Sequence, residues 1–262
     1  MPEITWSGNE AADAADVEPR TLIEAAYQQL RQDLVAGVHE PGEKLRVEHL
    51  KDRYQVGAGT LREALSRLAA DTLVVAQGQR GFSVAPLSLG DFEDITRTRM
   101  LLECEALRLS IAHGSDVWEG QVMAAFHRLS RAEEKIGKRP SLDAIAEWEE
   151  RNRVFHRSLL AACPSAWVLH FLGILYQQSE RYRRYVLVHP PIPRDIHGEH
   201  EAIMKATVSR DAKRAVQLLS RHIELTLDAL RAAPPEAFER KPKPRGKALA
   251  KAKPSARGKV RA

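Results

Sequence analysis

The sequence has no disulfide framework, no secretory leader and no membrane-length apolar run. Its two cysteines, Cys104 and Cys163, stand far apart inside apolar stretches and form no CxxC pair, so a reducing cytoplasm is the expected compartment. The opening MPEITWSGNEAADAADVEPR is acidic and has no apolar core, which argues against a signal peptide. Nowhere do the roughly 20 consecutive apolar residues of a bilayer crossing occur, and no membrane partner is expected. There is no GxSxG elbow, no glycine-rich phosphate loop and, after residue 85, no strand-like alternation. What remains is a chain of 262 residues, 44% hydrophobic and 29% charged, which suffices for two modest cores.

One sign of charge is also missing at each end. Residues 1–19 hold five acids and no base, whereas 240–262 hold ten Lys or Arg and no acid. Taking those ten charges from the net +5 leaves −5 on the rest, and the body from Arg20 to Glu239 is near neutral. The basic isoelectric point of 9.3 therefore describes a tail. Affinity for nucleic acid must rest on local placement of a few residues.

Composition predicts disorder over 1–18 and 234–262, where apolar side chains are too few to offset ordering entropy. Between these ends the pattern is helical except for one hairpin. TLIEAAYQQLRQDLVAG, from Thr21, sets Leu22, Ala25, Ala26, Leu30 and Leu34 on one face and stops at Gly37. After a Pro41-Gly42 turn, VEHLKDRY forms a second helix with Leu50 and Tyr54 inward. QVGAG leads into a third, LREALSRLAAD, whose Leu61, Ala64, Leu65 and Leu68 form a buried stripe. Two apolar strands joined at Gln79-Arg80-Gly81 follow. Pro86-Leu87-Ser88 marks a boundary, beyond which six helices are expected, the fourth ending at the HPPIP of 189–193. The expected fold is mostly α: a winged helix-turn-helix over 19–86, then an antiparallel six-helix bundle over 87–233.

A helix that presents hydroxyls and guanidiniums near its start is what base-edge and phosphate reading requires. The candidate DNA contacts are Thr60, Arg62, Ser66 and Arg67 on the third helix, Gly57 before it and Arg46 ahead of the second helix. Gln79, Arg80 and Gly81 join them at the wing tip. Arg62 could instead pair with Glu63 or Glu43 as scaffold.

These residues also carry a family likeness. Tyr27, Leu30, Arg31, Gly37, Pro41-Gly42, Leu45, Leu50, Val56, Leu61-Arg62-Glu63-Ala64-Leu65, Leu68, Leu73-Val74 and Arg80-Gly81-Phe82 resemble the N-terminal domain of GntR-family transcription regulators. The helical half resembles the FCD effector domain of the FadR subfamily. Arg99 with Leu102-Glu103 is similar to its opening motif, and Phe155-His156, Glu199-His200, Asp211 and His222 to its later landmarks. The run from Leu169 to Arg183 resembles the branch that contains carbon-starvation regulators. Relatives usually place a serine, and often an arginine, in the turn before the recognition helix, where this chain has Gly57 and Ala58. Fewer side chains are left for base readout, so the operator sequence cannot be copied from relatives.

Asn152 and His156 lie one helical turn apart, and His200 and His222 come from two later helices. Three imidazoles and an amide oxygen directed inward can bind a divalent metal, although scattered histidines are more often plain surface or core residues. The resemblance implies an Asp-His-His-His site for a zinc, nickel or manganese type ion, with neutral Asn152 a weaker ligand in the acid's place. His197 is the competing ligand; His113, His127, His170 and His189 read as ordinary. Arg99 stands in an otherwise apolar face, where a buried guanidinium needs an anion. That anion is either an effector carboxylate shared with the metal or Glu103 in an internal salt bridge. Arg181 and Arg183 are further effector candidates, although the RYRRY run fits a solvated face.

The expected function is that of a transcription repressor, not an enzyme, which binds double-stranded operator DNA and answers to a small carboxylate effector. A homodimer is expected because one recognition helix covers few base pairs and two-fold pairing doubles the contacts on a palindrome. The alternative from another class is a metal-dependent hydrolase or lyase with an accessory DNA-binding domain, with Glu149 and Glu150 as its nearest bases. A third is a DNA compactor driven by the basic tail.

Overall fold

The structure is a computed structural model, described over residues 21–136, 141–188 and 194–232. The disorder expected at both ends, His189 and the 189–193 proline cluster fall outside the described residues. Elements run α1 (Leu22–Val35), β1 (Lys44–Leu45), α2 (Val47–Tyr54), α3 (Ala58–Ala70), β2 (Val74–Ala76) and β3 (Phe82–Val84). Then come α4 (Leu89–His113), α5 (Asp116–Lys135), α6 (Leu142–Leu160), α7 (Ala166–Val188), α8 (Ile196–Val208) and α9 (Ala212–Arg231). The fold is mostly helical, as the periodicity implies.

Most helix starts are set by a side chain. Thr21, Ser88, Ser115, Ser141, Asp195 and Asp211 each accept the N–H three residues on, closing one of the donors a helix leaves open. α2 and α3 are the exceptions, and Arg46 makes no side-chain bond at the start of α2. The N-cap of α3 is Gly57, with no side-chain bond, and the helix takes in Ala58-Gly59, which the sequence pattern assigned to the turn.

The expected two-stranded wing has a third strand. β1 pairs antiparallel with β3 (Lys44 opposite Ser83, Leu45 opposite Phe82), and β2 pairs with the other edge of β3. Gly42 takes the left-handed conformation, φ 77°, that turns the chain back so that Glu43 O accepts the Val84 N–H at 2.9 Å. A two-residue strand carries too little alternation to be read from sequence. At the wing tip Gly78–Arg80 form a 3-10 turn that Gly81 closes at φ 89°.

One apolar cluster unites α1, α2, α3 and the sheet around Leu30, Leu61, Leu65, Leu68 and Leu73. A second fills the bundle around Leu107, Val122, Leu129, Phe155, Leu159 and Ile203, and a third, smaller one joins Leu87, Phe92 and Ile95 to Tyr182 and Leu230. α4 packs on α6, α7 and α9, and α5 on α6 and α8. Leu101, part of α4's long apolar run, instead faces outward with 75% of its surface exposed. Leu65 has no exposed surface. Leu65→Ala is expected to destabilise the N-terminal unit by about 2–5 kcal/mol, read as a lower urea midpoint for that unit.

Candidate functional site

Arg62, Ser66 and Arg67 come to the exposed face of α3, with Thr60 half-buried beside them and Gly57 exposed at its start. Arg46 is the exposed N-cap of α2, Arg80 is exposed at the wing tip, and Gly81 is half-buried. The side chain of Gln79 lies outside the described residues. Glu63 pairs with Arg67 at 3.3 Å and Glu43 with His39 at 3.4 Å, so among the described residues neither acid takes Arg62. Ser66 Oγ donates to the Arg62 carbonyl at 2.8 Å. An added Cβ at Gly57 or Gly59 would meet nothing within 4 Å, so the open N–H groups at the start of α3 are accessible.

The three histidines converge. His156 on α6, His200 on α8 and His222 on α9 are buried, with candidate ligand atoms all within 4.8 Å of one another. Asn152 is buried on α6, one turn before His156. His200 Nδ1 lies 2.7 Å from Glu133 Oε1, and His222 Nδ1 lies 2.8 Å from Glu199 Oε2. An ionised carboxylate can only accept, so these contacts put the protons on Nδ1 and leave both Nε2 lone pairs free. His200 Nε2 and His156 Nδ1 are buried atoms without a hydrogen-bond partner. Burial drives His156 well below the ordinary histidine range, with the charges of its neighbours adding to it. Burial also holds His222 down at about 3, against the hydrogen bond to Glu199 that pulls it up. Burial alone would raise Glu199, but hydrogen bonds from His222 and Arg194 outweigh it and hold the acid at about 2. Buried imidazoles, two of them with an unpartnered ring nitrogen and two with Nδ1 fixed on a carboxylate, fit a borderline divalent ion. His197, the competing ligand, is exposed, bonds Glu133 at 2.7 Å and stacks on Phe126; it does not join the cluster.

Beside the histidines the Tyr176 ring lies between two guanidiniums, Arg99 at 4.6 Å and Arg183 at 4.9 Å, and 5.7 Å from the His156 ring. Arg99 Nε donates to Glu103 at 2.6 Å, so the internal salt bridge is present and both partners are buried. Arg183 makes two hydrogen bonds to Glu149, which removes Glu149 as a free base, and Glu150 is held by Arg153. Arg181 and Arg183 each expose only 8%, which overturns the solvated-face reading for these two arginines. Arg181 donates to the Ala85 carbonyl at 2.5 Å and so bonds the link between the two halves. α7 is flanked by other elements over these turns, and its charged residues are buried where partners exist.

Glu133, Tyr176 and Arg194 had not been singled out, and Glu199 only as a landmark. Arg194 forms a two-toothed contact with Glu199 and also donates to the His222 carbonyl. Tyr176 and Arg183 are seven apart, hence on one face of α7, a spacing that could have linked them. Glu133 reaches His200 across 67 positions, and nothing local in the sequence signals it.

Comparison with known proteins agrees with this picture. Residues 22–84 match the gntR family of bacterial regulatory proteins and residues 94–225 the FCD domain. The chain is 46% identical over 232 residues to the HTH-type transcriptional regulator BphR of Paraburkholderia xenovorans, covering 87% of this chain and 94% of that protein. It is 36% identical over 201 residues to the HTH-type transcriptional repressor GlaR of Escherichia coli, covering 75% and 90%. Among solved structures, the fold is shared with E. coli McbR/YncC at TM-score 0.67 and 19% identity, covering 80% of this chain and 97% of that one.

The protonation pattern predicts acid sensitivity. His222 binds fewer protons folded than unfolded between its unfolded value near 6.5 and its folded value of about 3, so its stabilising contribution is full above that window and is lost as pH falls through it. Glu199, held at about 2, contributes in the same sense below about pH 4.5. In chelator-treated protein the melting temperature is expected to fall from pH 7 to pH 4, with a shallower fall in His222→Gln, followed by circular dichroism.

Proposed function

We infer the working of this chain from a plain premise: it belongs to the gntR family of bacterial regulatory proteins, carries an FCD domain, and is a DNA-binding transcriptional regulator rather than an enzyme. We propose that it is a cytoplasmic repressor, and that a small carboxylate bound in a metal-containing bundle controls its operator affinity. The observation that carries this reading is the set of three buried imidazoles beside Arg99 and Arg183, two of them, His156 and His200, with an unpartnered ring nitrogen. Among the described residues no helix is long and apolar enough to cross a membrane.

In this reading residues 19–86 bind DNA and 87–233 bind the effector. His156, His200 and His222 hold the ion through ring nitrogens, with the Asn152 amide oxygen as a fourth, weaker donor. A divalent ion of zinc, nickel or manganese type bound there supplies a Lewis-acidic point for a carboxylate oxygen. Glu133 and Glu199 fix the two tautomers, and Arg194 holds Glu199 in place. Arg99 uses its Nε on Glu103 and offers its terminal nitrogens to the other carboxylate oxygen; Arg183 also lies against the Tyr176 ring. Arg62, Arg67 and Ser66 meet the operator, together with Thr60, Arg46 and the wing residues Gln79, Arg80 and Gly81, while the bare start of α3 at Gly57 takes a phosphate. A second copy doubles this short reading surface. Trp167, Phe171 and Ile174 form an outward apolar stripe on α7, 61%, 50% and 37% exposed, which pairing of two chains would cover.

Three sets of variants test these assignments. Glu199→Gln is expected to weaken zinc affinity about 10–100-fold and His222→Ala to weaken it further, by calorimetry on chelator-stripped protein; unchanged affinity in both would remove the metal reading. With DNA from upstream of its own gene, Arg62→Ala is expected to lose about 1–3 kcal/mol of binding. Phe171→Glu is expected to give monomers by light scattering and weaker operator binding by anisotropy. Full operator affinity in Arg62→Ala would count against α3 as the reading helix.

A further inference from the structure

Helix α7 touches both halves of the molecule within eight residues. Tyr176 lies between Arg99 and Arg183 at the edge of the histidine cluster. Two residues on, Gln178 donates from Nε2 to the main-chain carbonyl of Asp71 at 2.5 Å. Asp71 is the C-cap of α3, the DNA-reading helix, and its carboxylate also accepts the Tyr27 hydroxyl from α1 at 2.5 Å. One turn further, Arg181 donates to the carbonyl of Ala85, the residue just past β3. Tyr182 receives the Ser88 N–H at 3.3 Å and donates to Asp91 at 2.8 Å, which ties down the segment entering α4. Arg183 then returns to the bundle through Glu149 on α6.

The spacing gives these contacts a direction. Tyr176 and Arg183, seven apart, share one face of α7, whereas Gln178 and Arg181, three apart, share another. A helix moves as a body, so a shift of the face lined by Tyr176 and Arg183 carries Gln178 and Arg181 with it. Both are buried and hydrogen-bonded to main-chain carbonyls, and losing such a bond leaves a desolvated polar group on each side. The orientation of α3 and the wing is thereby tied to the same helix that borders the histidine cluster.

We propose that α7 is the arm through which the buried histidine cluster sets the position of the DNA-reading helix, with Gln178 and Arg181 as the positioning residues for α3 and the wing. The inference rests on the reading of the bundle as a ligand-responsive module. A ligand that binds one placement of α7 more tightly than another would bias the two recognition helices of a dimer by that difference in affinity.

The test is hydrogen exchange by mass spectrometry on the full chain, with zinc alone as the probe and with chelator as control. Without metal, Gln178→Met and Arg181→Met are expected to speed exchange over residues 57–85 by roughly threefold to tenfold, the range that one net hydrogen bond represents. The bundle should keep wild-type rates, which also shows that it is folded, and Arg181→Lys, which retains a donor, should restore slow exchange. With zinc, wild-type protein should slow exchange in α6, α8 and α9 and change it over 57–85, while the two Met variants keep the first response and lose the second. Wild-type rates over 57–85 in both Met variants would overturn the proposal, as would a zinc response there that survives both substitutions. An absent zinc response in the wild-type bundle would instead strike the metal reading, and the metal-free comparison would still decide the role of α7.

Discussion

An acceptor nitrogen sealed inside a protein needs a partner, and in this bundle three imidazoles meet where the surrounding side chains satisfy only part of their capacity. Glu133 and Glu199 take the Nδ1 protons of His200 and His222; His200 Nε2 and His156 Nδ1 are left with none. A buried polar atom in that condition costs about 1–3 kcal/mol, and an apolar residue of similar volume would avoid it. The surrounding architecture is arranged to keep that condition. Arg194 clamps Glu199 and the end of the His222 peptide, while Arg99 and Arg183 flank Tyr176 against the same space. Positive charge and burial together keep His156 neutral, which is the form that can donate a lone pair.

The DNA-binding unit is built on the opposite economy of charge. The sequence from residue 20 to 239 is near neutral. In the proposed reading, affinity comes from a few side chains at the start and exposed face of α3, from the wing tip, and from a second copy. The glycines at the start of that helix fit this thin design: Gly57 and Gly59 remove side chains and open the backbone N–H groups at the place where a phosphate would approach. The C-terminal end of that helix is held by both α1 and α7.

Much of the architecture was legible because it follows period and punctuation. Leu61, Ala64, Leu65 and Leu68 announce α3, and the capping serines, threonine and aspartates mark most helix starts to within a residue or two. The strand β1 was hidden because two residues carry no period, and its pairing depends on a left-handed turn at Gly42. The histidines could be named in advance but not their supports, because Glu133 meets His200 from a distant helix. Arg181 and Arg183 misled for a related reason. A run of charge on a helix looks solvated until the packing around it is known, and here one arginine is paired across the bundle and the other anchors the link between domains.

The proposed regulation requires a metal ion held by the histidine cluster. A crystal structure of zinc-loaded protein, with data collected on both sides of the zinc absorption edge, would show it. An anomalous peak is expected at roughly 2.0–2.1 Å from one nitrogen each of His156, His200 and His222, with Glu133 and Glu199 still on the two Nδ1 atoms. An empty cluster at full zinc occupancy elsewhere, or imidazoles closed onto one another by direct hydrogen bonds, would contradict it.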